Sequence, residues 1–175
     1  MKKSSIICFC LSIVLAMPCY NAKALVSYED EADLYKEEVQ AVQVFSVNDR
    51  KIPITDQDVY LMAQVVCAES RAEPYEGKVA VASVILNRLQ SNQFPKSVED
   101  VIMQKNAFSC IRNGEITIVP DPASYNAVLD ALKGKDPTGK ALFFYNPKIA
   151  TSSWMKNINK KNVKSIGNHV FFAVK

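Results

Sequence analysis

The sequence predicts an α+β fold, mostly helical, with a small antiparallel sheet. Three observations carry this reading. Residues 55–69 and 74–90 form two helix-patterned stretches that are apolar nearly all round, which places both in a core. Two shorter stretches, opening at Ser97 and Asp121, carry helix-start signals. Ala141–Tyr145 and His169–Val174 are rich in aromatic and branched residues, as strands are. A chain of 175 residues, 49% apolar and 22% charged, suits one globular domain with a short appendage and excludes a disordered protein.

The chain starts with a different pattern. Lys2 and Lys3 precede an apolar run from Ile6 to Met17, and the segment closes on Ala22-Lys23-Ala24. A basic start, a short apolar centre and an Ala-x-Ala exit make a secretory signal peptide over 1–24, cut after Ala24. The run is shorter than the ~20 residues a membrane-spanning helix needs, so no transmembrane helix is expected after cleavage. The alternatives are an uncleaved anchor and a lipid-modified Cys19, which Pro18 disfavours. The segment holds three of the five cysteines and three lysines, so the remainder, from Leu25, carries 18 basic and 18 acidic residues. The net charge of +3 thus belongs to the address, and nothing in the balance points to nucleic acid.

Residues 25–54 read as an acidic leader. Glu29, Asp30, Glu31, Asp33, Glu37 and Glu38 surround one base, Lys36, and weak periodicity leaves a loose helix or a tether open. The globular domain is expected over 55–175. Thr55 caps a helix with Asp56 and Asp58 in its first turn. Pro74 ends that helix and opens the next. Ser97 to Asp100 resembles a capping box for a helix reaching about Gln104. Asp121-Pro122 starts another, which Gly134 closes, and Asn113-Gly114 marks a turn between them. After Asp136 there is no acid, while seven lysines follow. That run is either a solvated surface or an attraction for an anionic polymer.

Glu69 stands out, because ten uncharged residues, Val59–Ala68, precede it. Burial and the negative end of a helix dipole both favour a protonated carboxyl, which general-acid cleavage of a glycosidic bond requires. The competing reading is a glutamate paired with arginine or capping backbone.

The run Glu69–Arg88 (ESRAEPYEGKVAVASVILNR) resembles the central motif of the SleB-type cell-wall hydrolases, the spore cortex-lytic enzymes and their relatives. The resemblance continues through Phe94-Pro95, Asp100-Val101-Ile102, Phe108-Ser109, Asp121-Pro122, Asp136-Pro137-Thr138-Gly139 and Phe144-Tyr145-Asn146-Pro147. It also takes in Ser153-Trp154 and ends at Ile166–Phe171, covering about residues 56–172. It implies a lysozyme-like, two-lobed domain that cleaves peptidoglycan between muramic acid and glucosamine as a lytic transglycosylase. It places the catalytic acid and base on Glu69 and a second acid on Glu76, for which capping the second helix is the plain alternative. Glu73 reads as an exposed boundary residue.

Phe108, Ser109, Tyr145, Asn146 and Trp154 are candidates for the substrate cleft, and each is also a residue type common in cores and rims. His169 matches a family position and reads as structural. One histidine and no Cys/His cluster leave no metal site, and no cofactor is expected. Cys67 and Cys110 are not positions associated with cysteine in the family. As a pair in an exported chain they are candidates for a disulfide tying the catalytic helix to its neighbouring loop. The partner is peptidoglycan, and docking falls to this monomeric domain or to an accessory protein. The rival function is a non-catalytic wall-binding protein that retains the fold.

Overall fold

The computed structural model describes residues 41–47 and 50–174. The signal segment 1–24 and the acidic stretch up to residue 40 lie outside the described residues. Strands β1 (Ala41–Val47) and β2 (Arg50–Thr55) pair antiparallel as a two-stranded ribbon. This differs from the loose helix or tether expected there. Val42 and Val44, like Ile52 and Ile54, recur two residues apart, the strand period. Ile54 is fully buried in the core, so the packed domain begins before residue 55.

Helix α1 (Asp56–Glu69) follows without a break. The Thr55 hydroxyl accepts from the Asp58 N–H at 3.1 Å, and the Asp58 carboxylate accepts from the Thr55 N–H at 2.9 Å. Such a reciprocal cap is worth about 1 kcal/mol. Pro74 prevents continuation and becomes the cap of α2 (Tyr75–Gln90), rather than its first residue. Every residue of α2 from Gly77 to Leu89 is buried, as its apolar run predicts. Helices α3 (Val98–Met103) and α4 (Pro122–Leu132) start where their signals lie, with Ser97 and Asp121 accepting from the N–H groups of Asp100 and Ser124. The turn at Asn113 and Gly114 has positive φ at both residues, 53° and 80°, and closes a bridge between Arg112 and Glu115.

The sheet is β3 (Phe143–Tyr145), β5 (His169–Val174) and β4 (Lys160–Ile166), antiparallel in that spatial order, with the short helix α5 (Ser153–Asn157) preceding β4. The lysine-rich β4 and α5 were not predicted. β4 shows no apolar alternation because its residues from Lys161 to Ser165 are exposed, and pairing with β5 alone makes it a strand.

Two consecutive residues of α2 fasten the sheet to the helices. Asn87 Nδ2 donates to the Ala141 carbonyl at 3.1 Å and to Asp136 at 3.2 Å. Arg88 Nε donates to the Leu142 carbonyl at 2.9 Å. The Arg88 guanidinium lies 5.0, 5.2 and 5.7 Å from the ring centres of Phe108, Phe94 and Phe143. Burial pulls its pKa down to about 10, so it stays charged at neutral pH among three ring faces.

Candidate active site

Glu69 is the last residue of α1, where the uncharged helix meets the surface and its side chain is half-buried. Its Oε1 accepts from Ser109 Oγ at 3.0 Å and from the Cys110 N–H at 3.0 Å. Among the described residues no donor reaches Oε2, which leaves that oxygen open to an approaching group. The loop bearing Ser109 and Cys110 is set by packing on either side. Phe108 is buried beneath Arg88, and downstream Gln64 of α1 donates through Nε2 to the carbonyls of Ile116 and Ile118 at 3.2 and 2.8 Å. Lys78, also buried, donates to the Ser70 carbonyl at 3.3 Å, placing a cation at the negative end of α1.

Across the site stands Glu73, and here the expectation of an exposed boundary residue is overturned. Its side chain is only 5% exposed. One carboxylate oxygen accepts from the Asn168 N–H at 2.8 Å and the other from Asn168 Nδ2 at 3.3 Å. The turn Gly167–Asn168, which joins β4 to β5, folds over it. Gly167 has φ +59°, and a Cβ there would lie 1.9 Å from Glu73 Oε2, so glycine is required on both counts. Reading Glu73 as a boundary residue failed because a turn from the far end of the chain covers it, and no local pattern announces that.

His169 follows the turn. Its Nδ1 lies 4.0 Å from Glu73 Oε1 and, buried, has no hydrogen-bond partner among the described residues. Burial lowers the His169 pKa, against the opposing pull of Glu73 and Glu69, so the ring is neutral at pH 7. It packs edge-on against Phe144 at 5.2 Å.

The other candidates divide. Ser109 and Phe108 adjoin Glu69 as expected, the first bonding it and the second forming the floor of its loop. Glu76 is exposed in the first turn of α2, where it suits the helix dipole. Tyr145 is half-buried against Phe172, with the Lys160 ammonium 5.5 Å from its ring. Asn146 builds a turn, its Oδ1 accepting from the Lys148 N–H at 3.0 Å. Trp154, 46% exposed, sits edge-on to Phe143 at 5.3 Å. A cavity of about 500 Å³ lies between α1 and α3, bounded by Tyr60, Gln64 and Met103 among others, and is lined by none of the groups around Glu69.

The candidate disulfide is not formed, since Cys67 and Cys110 are both free. Cys67 is buried with its sulfur toward the Val119 carbonyl and Asp121, at 4.0 and 3.9 Å. Burial pushes the Cys110 thiol up to about 12, with Glu69's charge and hydrogen bond adding to it. A thiol held protonated in this way is a poor nucleophile. Thiol titration of unreduced, unfolded protein lacking residues 1–24 is expected to give two free thiols. A count of zero would restore the disulfide.

A family model described as cell wall hydrolase matches residues 72–172, beginning just past Glu69 and including Glu73 and His169. A spore cortex-lytic enzyme of Halalkalibacterium halodurans is 49% identical over 117 residues, 67% of this chain and 35% of that protein. Another, from Bacillus subtilis, is 46% identical over the same length, 38% of its own. The chain thus spans well under half of these relatives. Among solved structures, the catalytic domain of the Bacillus cereus SleB protein shares 46% identity at a TM-score of 0.62, covering 68% of this chain and 91% of that one. The catalytic domain of the germination-specific lytic transglycosylase SleB from Bacillus anthracis gives 45% and 0.63, covering 68% and 96%. These agreements bear out the α+β, lysozyme-like fold class.

Proposed function

The chain belongs to the cell-wall hydrolase family, and from that premise we propose that it is an exported peptidoglycan-cleaving glycosidase, a lytic transglycosylase acting between N-acetylmuramic acid and N-acetylglucosamine. The observation that carries this reading is the Glu69 carboxyl, oriented through one oxygen by Ser109 and Cys110 and open at the other. In the proposed reaction Glu69 gives its proton to the glycosidic oxygen as the bond to muramic C1 breaks. The carboxylate then takes the proton of that sugar's own 6-hydroxyl, whose oxygen closes on C1 to form a 1,6-anhydro end.

The engagement of Glu73 supports a one-carboxylate route. Hydrolysis by two carboxylates needs a second one as nucleophile or as base toward water. Glu73 is enclosed and bonded at both oxygens by Asn168, and Glu76 stands exposed on the next helix. Glu73 is thus not free for that role, and Glu76 has the plainer one of complementing the α2 dipole. Export through cleavage after Ala24, the layout of a tether followed by the domain, and work on spore cortex or other wall belong to the same proposal.

Glu69→Gln is expected to lower release of soluble muropeptides from purified sacculi at least about 100-fold, with the fold retained by circular dichroism. Full release by that variant would refute the assignment. Mass spectrometry of wild-type products is expected to find anhydro ends, and reducing muramic ends would replace transglycosylation by hydrolysis.

A further inference from the structure

Glu69 and Glu73 are joined by a closed circuit of contacts. Ser109 bonds Glu69, and its neighbour Phe108 lies 6.3 Å, ring to ring, from Phe144. Phe144 packs on His169 at 5.2 Å, His169 stands 4.0 Å from Glu73, and Glu73 follows Glu69 by four residues in the chain. One side of the circuit is helix and loop, the other is β3 at Phe144 and the start of β5. The direct link across it is Glu73 holding the Asn168 backbone and amide. Lys148 Nζ reaches Asn168 Oδ1 from the solvent side at 3.4 Å.

We infer that Glu73 is a positioning residue: its buried carboxylate clamps the Gly167–Asn168 turn to the short connection between α1 and α2 and thereby sets His169 and Phe144 as the wall of the cleft facing Glu69. The inference rests on Glu69 as the catalytic group and extends it to what holds the opposite wall. Burying a carboxylate is costly unless its hydrogen bonds are supplied, and here one residue, Asn168, supplies both. A turn displaced by an ångström misplaces the wall against which a sugar ring must lie, and misplacement of that size lowers turnover by as much as ~100-fold.

The clamp role is one of shape and hydrogen bonding, so it separates from a role of charge. Glu73→Gln keeps an acceptor for the Asn168 N–H. Gly167→Ala keeps the carboxylate and drives it away. Assayed on sacculi in the full chain, Gly167→Ala is expected to lower kcat about tenfold or more with KM within about twofold, while Glu73→Gln keeps kcat within about threefold. Glu73→Ala, which removes the clamp without adding bulk, is the second probe should Gly167→Ala not fold.

His169 is the chain's one histidine, so its imidazole proton resonance reports the wall without reference to turnover. Its titration midpoint is expected to fall in Glu73→Gln, and to fall less in Glu69→Gln, since Glu73 is the larger of the two charges acting on it. Wild-type kcat in a folded Gly167→Ala or Glu73→Ala variant would overturn the clamp, as would loss of kcat in Glu73→Gln equal to that in Glu73→Ala. The two readings fail differently. An active Glu69→Gln removes the catalytic assignment, whereas an inactive Glu69→Gln beside a fully active Glu73→Ala removes the clamp alone.

Discussion

The helical half of the domain and its sheet share one apolar core, which Phe171 of β5 enters, but the sheet is also tied down by directional bonds from buried polar groups. Helices α1 and α2 meet through Met62, Val65, Val66, Val81, Ile85 and their neighbours, an apolar core in which no single pair is decisive. The sheet contributes Phe171 to that core and is fastened besides by buried polar groups aimed at backbone atoms: Asn87 at Ala141, Arg88 at Leu142, Glu73 at Asn168. Apolar packing tolerates a change of shape if volume is kept. A directional bond from a buried group does not, because its loss leaves the other partner unpaired. The half built on directional bonds is also the half that borders Glu69.

The sharpest way to break this contrast is at Arg88. Arg88→Ala is expected to cost about 3 kcal/mol in urea unfolding, since it empties the space among three phenylalanines and orphans the Leu142 carbonyl. Ile85→Leu, equally buried but in the apolar half, is expected to cost less than about 1.5 kcal/mol. The reverse order would abolish the distinction.

Acid offers a gentler test, because the titrating groups sit on the sheet side. Burial holds the His169 pKa below its ordinary value, so the unfolded chain takes up that proton first. Thermal stability is therefore expected to decline as pH falls from about 6.5, and to do so less in His169→Phe. Burial alone would raise Asp136, but bonds from Thr138, Lys140 and Asn87 outweigh it and hold its carboxyl low. A further loss is expected as pH drops below about 4, absent in Asp136→Asn. Flat stability from pH 7 to 5 would argue against a buried neutral imidazole. The smallest effect is reserved for Val163 on β4, 52% exposed, where Val163→Thr is expected to stay within about 0.5 kcal/mol.

The same division decides what the sequence discloses. Thr55, Ser97, Asp121 and the uncharged runs of α1 and α2 act on neighbours a few residues away, so helix starts and buried faces could be read locally. Glu69 was visible for that reason, as the charge ending a neutral helix. Glu73 was hidden because Asn168 lies 95 residues further along the chain. The signal that could have found it is the glycine in Ile166-Gly167-Asn168-His169, a position without a side chain directly before the strand-forming run His169–Val174. β4 was missed because an exposed strand borrows its order from its partner, and its lysines read as surface of any kind. Compartment and number suggest pairing Cys67 with Cys110, but both are free, and the Cys67 sulfur faces the Val119 carbonyl and Asp121 instead.

One property of β4 reaches beyond the single molecule. A three-stranded sheet has two rims, and each is a template on which another chain could add a strand. One rim, β3, is three residues long, too short to offer much of a ladder. The other carries Lys160, Lys161 and Lys164, with a register irregularity between Lys161 and Lys164 and a left-handed Asn162 at φ 51°. Two such rims brought together would meet across a broken hydrogen-bond register, and a rim of that kind is a poor template for edge-to-edge pairing of copies.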